Sequence, residues 1–155
     1  MFFPPPANAS EEQFLNALEG QYEGQGRIRL RTDKAPINVD CTFNSATSAG
    51  SLSLEGRCRG LLGVSRAVGA KLQINGSSYS GSYIGAGSGT ASLSGKRSGN
   101  TLNLAIRWAK EINGDRRANL SVAKIGERGL SLTTTDRDPS SGKTVVTSEI
   151  VLQRK

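Results

Sequence analysis

The side chains that could carry out chemistry in this sequence are few, and histidine is not among them. Without histidine, the chain can build neither a Ser-His-Asp nor a Cys-His nucleophile system, and it can have no metal site with histidine ligands. Two cysteines remain as possible nucleophiles or soft metal ligands. Whether they are free for such a role depends on where the predicted strands place them.

Cys41 and Cys58 are predicted to lie opposite each other in a β-hairpin that turns at Ala49-Gly50. Directly opposed residues have Cβ atoms close enough for a disulfide with little movement of the backbone. A bridged pair cannot serve as a nucleophile or a metal ligand. The alternative is two unrelated buried thiols. The disulfide interpretation predicts a periplasmic or secreted protein, because cytosolic thiols are kept reduced.

Pairs of carboxylates could still act as general acid and base, as they do in glycosidases. Most acidic residues are predicted to lie in or beside turns, where solvated surface is the expected state: Asp33, Glu111, Asp115, Glu127, Asp136 and Asp138. Others fall on outward-facing strand positions: Glu23, Asp40, Glu55 and Glu149. The run Gly85-x-Gly87-x-Gly89 lacks the spacing and the strand-to-helix context of a phosphate-binding turn. We therefore predict a protein that is not an enzyme and has no cofactor.

The formal net charge of +7 favours acidic partners such as nucleic acid, anionic lipid or acidic polysaccharide. Nucleic acid is unfavoured, because few aromatic side chains are left to stack bases and an oxidising compartment seldom offers nucleic acid. No apolar run approaches the roughly 20 residues that a membrane-spanning helix needs, so we predict no transmembrane segment.

The N-terminal residues differ in composition from the rest of the chain. The start, Met1-Phe2-Phe3-Pro4-Pro5-Pro6, lacks the basic and apolar regions of a signal peptide. We interpret it as the sequence that follows a removed signal, with the proline run as a stiff, extended spacer. Residues 1–9 are thus predicted to be a Pro-rich tether, with a possible peripheral attachment to the envelope, and residues 10–155 to be one barrel domain.

The hydrophobic period separates one short helix from a long series of strands. Ser10-Glu11-Glu12-Gln13 has the form of a capping box, and Phe14, Leu15 and Leu18 then share one helical face. From Gln21 onward the period is 2, nearly to the C-terminus. The alternation predicts about ten strands.

Turn signals separate these strands. The strongest is Asn75-Gly76, which predicts a type I′ turn with Leu72 opposite Tyr79. In the first strand, the inward face is predicted to extend to Leu30. About ten strands joined by hairpins predict an all-β fold: a single antiparallel up-and-down β-barrel with a short N-terminal helix, in which closure removes the edge strands.

Such a barrel encloses more volume than small inward residues fill. Several inward positions are glycine: Gly24, Gly26, Gly56, Gly60, Gly81 and Gly95. These glycines either kink the strands for closure or leave room for a ligand.

The short helix followed by Gly20-Gln21-Tyr22-Glu23-Gly24-Gln25-Gly26 resembles the start of calycin-type barrels. Lipocalins open with Gly-x-Trp and nitrobindin-like barrels with Gly-x-Trp-x-Gly-x-Gly, whereas this chain has Tyr22 at the tryptophan position. The resemblance implies a barrel that holds a small apolar or planar ligand. Nitrobindin-like proteins bind haem through histidine, so binding of that kind is not expected here.

The first functional hypothesis is therefore a binding protein for a small apolar or amphipathic ligand. The inward aromatic residues are predicted to line its interior: Tyr22, Phe43, Tyr79, Tyr83 and Trp108. An acidic headgroup would lie toward basic residues around the Asn113-Gly114 turn: Arg107, Arg116 and Arg117. Plain core packing explains the aromatic residues equally well.

The alternative hypothesis is a cell-envelope structural or interaction protein whose barrel is packed solid. Its basic outer face would dock a protein or an acidic polymer. Arg27, Asp40 and Arg59 are predicted to form one row across three strands, with Arg29 and Arg57 nearby. These residues could instead be ordinary solvated cross-strand pairs. Interior volume distinguishes the two hypotheses, since a ligand carrier needs a cavity and a scaffold does not.

Overall fold

The change of hydrophobic period after the first residues marks the boundary between one helix and ten strands. The computed structural model describes residues 7–60, 63, 65–85 and 89–155. The elements are α1 (Ala7–Asn16), β1 (Gly20–Ile28), β2 (Ile37–Ser48), β3 (Ser51–Gly60), β4 (Ser65–Asn75), β5 (Ser78–Ile84), β6 (Ala91–Ser98), β7 (Thr101–Ile112), β8 (Asp115–Ile125), β9 (Gly129–Arg137) and β10 (Thr144–Arg154). Of the predicted tether over residues 1–9, residues 1–6 lie outside the described residues, and residues 7–9 belong to α1.

The strands form a closed barrel in which each strand pairs antiparallel with its neighbours in sequence, and β1 pairs with β10. The prediction of an all-β, up-and-down barrel with one short helix is confirmed. Because every strand edge is paired, the sheet has no free edge to template aggregation. None of the helices in the described ranges is long and apolar enough to cross a membrane.

The core lies inside the barrel and under the helix. Strand burial alternates as the period of 2 predicts. Phe14 and Leu15 of α1, and Leu18 in the turn that follows it, are buried against the barrel. Leu30 is an exception, because β1 ends at Ile28 and leaves its side chain 49% exposed.

The predicted row of Arg27, Asp40 and Arg59 is wrong at Arg27, because the register of β1 against β2 is shifted by two residues. The pairing of Asp40 with Arg59 is as predicted. Ile28 faces Ile37, so residues 29–36 form a longer connection than expected. Asp40 therefore lies between Gln25 and Arg59. The alternation of faces is unaffected, since a shift of two residues keeps each side chain on the same side of the sheet.

The hairpin after β4 is also shifted by two residues from its predicted register. Asn75 faces Ser78, so the turn residues are Gly76 and Ser77, and Tyr79 faces Ile74 rather than Leu72. In this turn Gly76 has a positive φ of 64° and Ser77 does not. Glycine with positive φ at the first turn position is the type II′ pattern, not type I′.

The predicted capping box is wrong as well, because α1 begins at Ala7 and Ser10 already lies within the helix. Glu11 is buried and is hydrogen-bonded to the barrel.

The predicted disulfide is confirmed. Cys41 faces Cys58 across β2 and β3, the two sulfurs are bonded, and the Cα atoms lie 4.1 Å apart.

The space beside the inward glycines is filled by the neighbouring strands. A Cβ atom on Gly24, Gly81 or Gly95 would lie within 2 Å of a backbone carbonyl oxygen of the next strand. On Gly56 it would meet the ring of Phe43 at 2.4 Å. These four glycines allow close approach and curvature, and they leave no room for a ligand.

Candidate functional site

The two ends of the barrel differ in their connections. The connections on the side of α1 are short: residues 49–50, 76–77, 99–100 and 126–128. We call this side the helix end. The opposite side, the open end, carries the connections after β1, β3, β5, β7 and β9, including residues 29–36 and 138–143. Longer loops on a rigid barrel are the usual location of binding residues.

The helix end is closed by α1 and by a partly buried ion pair. Leu15 and Leu18 are each 1% exposed. The Tyr22 hydroxyl donates a hydrogen bond of 2.8 Å to the Leu18 carbonyl, and Arg154 Nη2 donates one of 2.6 Å to the Ala17 carbonyl. The end of the helix is therefore fixed to β1 and β10.

Glu11, near the middle of α1, fixes the helix to β5 and β6. Its carboxylate accepts hydrogen bonds from the Tyr79 hydroxyl and Arg97 Nε, both at 2.6 Å, and from Arg97 Nη2 at 3.2 Å. Burial opposes ionisation of Glu11, but these hydrogen bonds and the charge of Arg97 outweigh it and lower its pKa. Burial and the bond to Glu11 raise the pKa of Tyr79, which therefore remains protonated.

A cavity of about 50 Å³ opens at the other end. Part of its wall is apolar or aromatic: Ile28, Leu30, Val68, Tyr83, Trp108 and Ile112. The rest consists of Gly85 and of polar or charged residues: Arg29, Arg66, Asn113, Thr134, Asp136, Thr147 and Ser148. A second space of about 10 Å³ lies deeper and includes Phe43 in its wall. The two spaces share Val68, Tyr83, Thr134 and Ser148.

Trp108 is the most informative residue of this cavity. Its side chain is 5% exposed, and its ring lies 5.9 Å from that of Tyr83. Within the described ranges, the buried Trp108 Nε1 makes no hydrogen bond. A buried N–H without a partner is rare in folded proteins and calls for an explanation.

A network of polar side chains holds three open-end connections together. The Thr32 amide donates to Asn113 Oδ1 at 3.1 Å, and the Thr32 hydroxyl donates to Asp138 Oδ1 at 3.0 Å. Asn113 Nδ2 in turn donates to Asp136 Oδ2 at 3.1 Å. Hydrogen bonds from Ser141 and Ser140 lower the pKa of Asp138 to about 2. These three connections are therefore fixed to one another.

Asp136 was predicted to be solvated in a turn, and this prediction is wrong. It is an inward residue of β9, 4% exposed, and burial raises the pKa of its carboxyl group. Its signal in the sequence was the period of 2, since Leu130, Leu132 and Thr134 precede it on the inner face.

The structure divides the predicted ligand-binding residues into three groups. Tyr83 and Trp108 line the open-end cavity, and Phe43 lines the deeper space. Tyr22 and Tyr79 belong to the closed helix end, and neither lines these two spaces. The basic group lies outside the cavity: Arg107 faces Arg117 across β7 and β8, and all three of Arg107, Arg116 and Arg117 are exposed.

The predicted partner-binding arginines are divided as well. Arg27 lies opposite Glu149, Arg59 lies opposite Asp40, and Arg57 lies opposite Thr42. Arg29 leaves this face altogether. It lines the open-end cavity and donates a hydrogen bond of 2.6 Å to the Lys34 carbonyl. Acidic residues therefore alternate with the arginines on this outer face.

The barrel has a counterpart among solved structures. It is similar to Rv2717c from M. tuberculosis, with a TM-score of 0.74 and 18% sequence identity over 94% of this chain and 97% of that chain. At this identity the similarity shows a shared barrel fold. No protein-family model and no curated protein sequence matches this chain.

Sequence reasoning missed Arg66 and Asn113 as residues of the cavity, and Thr32 as a residue of the hydrogen-bond network that joins the open-end connections. Arg66 Nη1 donates to the Gly85 carbonyl at 3.1 Å, and Arg66 is the second half-buried arginine of the cavity wall, after Arg29. Asn113 was recognised only as a turn residue, and its φ of 54° agrees with that role. Its contact with Thr32, 81 positions away, depends on barrel closure and has no local signal.

Proposed function

We propose that this protein binds a small amphipathic molecule at the open end of the barrel. The observation that carries the proposal is the buried Trp108 N–H beside a cavity, without an acceptor in the described part of the chain. An unmade hydrogen bond of a buried donor costs about 1–3 kcal/mol. A ligand that brings an acceptor atom to Trp108 Nε1 would recover this energy.

The size of the cavity limits the group that enters it. A space of about 50 Å³ holds a few non-hydrogen atoms, whereas sites for drug-sized molecules measure about 300–1,000 Å³. The deeper space of about 10 Å³ is the size of one water molecule. We therefore propose a ligand whose polar end enters the cavity while its remainder lies along the open end, near Leu30.

The walls of the cavity suggest how such a ligand is recognised. Trp108 supplies the directed donor, Tyr83 and Val68 supply apolar contact, and the guanidinium groups of Arg29 and Arg66 favour an electronegative group. The resemblance of the N-terminal segment to calycin-type barrels, which hold small ligands, supports the same proposal. We propose a member of that broad group that lacks histidine-bound haem.

We further propose that the protein binds without catalysing a reaction and works in the periplasm or outside the cell. Acid–base catalysis by carboxylates needs a pair, and Asp136 is the one carboxylate that lines the cavity among the described residues. The disulfide between Cys41 and Cys58 supports an oxidising compartment.

Calorimetric titration with butyrate, octanoate, octanol and octylamine tests the proposal. At least one ligand with an acceptor group should bind, and Trp108→Phe should weaken it about 10-fold, the usual value of one hydrogen bond. Tyr22→Phe, which removes a hydroxyl at the helix end, is the matched control and should leave the affinity unchanged. Equal affinity of wild type and Trp108→Phe would remove the basis of the proposal.

The nearly filled interior favours a second candidate function, that of an envelope structural or interaction protein. In this case the outer face around Arg27, Arg57 and Arg59 would dock a protein or an acidic polymer. The alternation of these arginines with Asp40 and Glu149 suits a partner of mixed charge better than a uniformly acidic one. Charge reversal at Arg27 and Arg59 should abolish recovery of that partner in pull-down, while calorimetric binding of small ligands would persist.

A further inference from the structure

The net positive charge of the protein is concentrated at the open end. When each residue is assigned to the nearer end of its strand, the open half carries 13 Lys and Arg against seven Asp and Glu. The helix half, with α1, carries seven against six. Nearly the whole charge of +7 therefore belongs to one half of the barrel.

The bases of the open half are available to a partner. Eleven of them are exposed: Arg27, Arg31, Lys34, Arg57, Arg59, Arg107, Lys110, Arg116, Arg117, Arg137 and Lys143. Among the described residues, the only ion pair at these bases joins Arg31 to Asp33 at 3.4 Å. Two acids of this half are otherwise engaged, since Asp136 is buried and Asp138 accepts hydrogen bonds from its own loop. The positive charge is thus not neutralised locally.

The open half also has exposed apolar side chains, of which Leu30 is the most exposed. Leu30 is 49% exposed and lies between Arg29 and Arg31 in sequence. Its loop is held in place by the hydrogen bonds of Thr32 to Asn113 and Asp138. Ile84 and Val146, at 42% and 43% exposure, also belong to the open half. Exposed apolar side chains in a half of the barrel that is rich in bases suit a surface with anionic groups on the outside and an apolar layer below them.

We propose that the open end docks on an anionic lipid surface, with Leu30 entering the headgroup region and the surrounding bases facing lipid phosphates. Each Lys or Arg near such a surface contributes about 1 kcal/mol, and salt weakens the attraction because the Debye length is only about 10 Å at 0.1 M. A soluble acidic polymer would use the bases but would gain nothing from Leu30. The proposal rests on charge and exposure and does not depend on the ligand at Trp108.

Flotation with vesicles tests the docking. The oxidised, full-length protein should float with vesicles of phosphatidylcholine mixed with phosphatidylglycerol at low salt, and it should be released as salt is raised. It should not float with vesicles of phosphatidylcholine alone. Absence of flotation with the mixed vesicles would overturn the proposal.

Charge reversals at two ends provide a matched comparison. Lys34→Glu with Lys143→Glu should weaken binding to mixed vesicles at least 10-fold. Lys71→Glu with Lys96→Glu changes the net charge by the same amount in the helix half and should weaken binding much less. All four lysines are exposed, and circular dichroism confirms that each variant is folded. Equal loss in both variants would show a simple effect of net charge and contradict docking through the open end.

Leu30→Ser separates a lipid surface from a soluble polyanion. The variant should weaken binding to mixed vesicles several-fold and leave binding to heparin unchanged. If vesicle binding is also unchanged, the open end recognises acidic polymers in general, and the lipid proposal is wrong.

Discussion

Each end of this barrel has a buried carboxylate, but the two carboxylates differ in their hydrogen-bond partners and in the direction of their pKa shifts. At the helix end, the buried carboxylate of Glu11 has strong donors in Tyr79 and Arg97. At the open end, the buried carboxylate of Asp136 has weaker partners and a raised pKa, and the nearby Trp108 N–H has no partner among the described residues. Buried polar atoms without a hydrogen-bond partner in the described part of the chain occur at both ends, since Ser45 Oγ and Arg154 Nε of the helix end are also among them. Of these atoms, Trp108 Nε1 is the one whose residue lines the cavity, as expected of a site that receives a ligand.

The largest difference between the ends should appear when a leucine is truncated. Leu18→Ala removes a side chain that is 1% exposed in the turn after α1, and it should lower the free energy of unfolding by about 2–5 kcal/mol. Leu30→Ala, at the open end, should lower it by less than about 0.5 kcal/mol. Urea unfolding followed by the fluorescence of the single tryptophan measures both. Comparable losses would show that the open end is packed as tightly as the helix end.

The disulfide should stabilise the open half more than the helix half. It joins β2 to β3 and closes a loop with a sequence separation of 17, for which about 3 kcal/mol is expected. In Cys41→Ser with Cys58→Ser, amide hydrogen exchange should accelerate most in β2 and β3 beyond the bridge, toward residues 29–36. Uniform acceleration through α1 and the barrel would contradict a local role.

Glu11→Gln should lower the free energy of unfolding by about 2 kcal/mol at neutral pH, because hydrogen bonds to a charged group are lost. The pKa of Glu11 is lowered in the folded protein, so its contribution is present above the ordinary carboxyl range and is lost as the pH falls through the folded pKa. The deficit of the variant should therefore shrink in acid. Urea titrations across that range check this, and a deficit independent of pH would exclude the ionised carboxylate as its source.

Asp136→Asn should show the opposite sign with a smaller magnitude. Burial raises the pKa of Asp136, so stability due to its protonated form is present at low pH and is lost as the pH rises through the raised pKa. The variant should be as stable as or more stable than wild type at neutral pH, and this advantage should disappear in acid. Destabilisation that is largest at neutral pH would mean that the ionised form is well satisfied.

The fold could be predicted from the sequence because alternation, tight turns and opposed cysteines are local signals. The pairing of Cys41 with Cys58 followed from one hairpin alone. Strand register was the part that could not be predicted. The eight residues between Ile28 and Ile37 shifted the arginine row, and the hairpin after β4 was shifted by two residues although its turn is short. A period of 2 fixes the face of a side chain but not its partner.

Only part of the candidate site could be predicted from the sequence. The alternation placed Tyr83 and Trp108 inside the barrel, and the structure brings both to one cavity. It could not show which end was closed, because the contacts of Glu11 with Tyr79 and Arg97 join residues 68 and 86 positions apart. The role of Tyr79 in closing the helix end follows from these contacts, and that of Tyr22 follows in part from Arg154, 132 positions away, whose Nη2 donates a hydrogen bond to the Tyr22 hydroxyl.

The indole N–H resonance of Trp108 tests the central claim most directly, because the chain has one tryptophan. In a ¹H–¹⁵N NMR titration with octanoate and octanol, a ligand with a suitable acceptor should shift the Trp108 Nε1–H signal downfield. The side-chain Nε–H signal of Arg97, at the helix end, should remain unchanged. If the indole signal is unaffected by every ligand, or if Arg97 shifts instead, the open end is not the binding site.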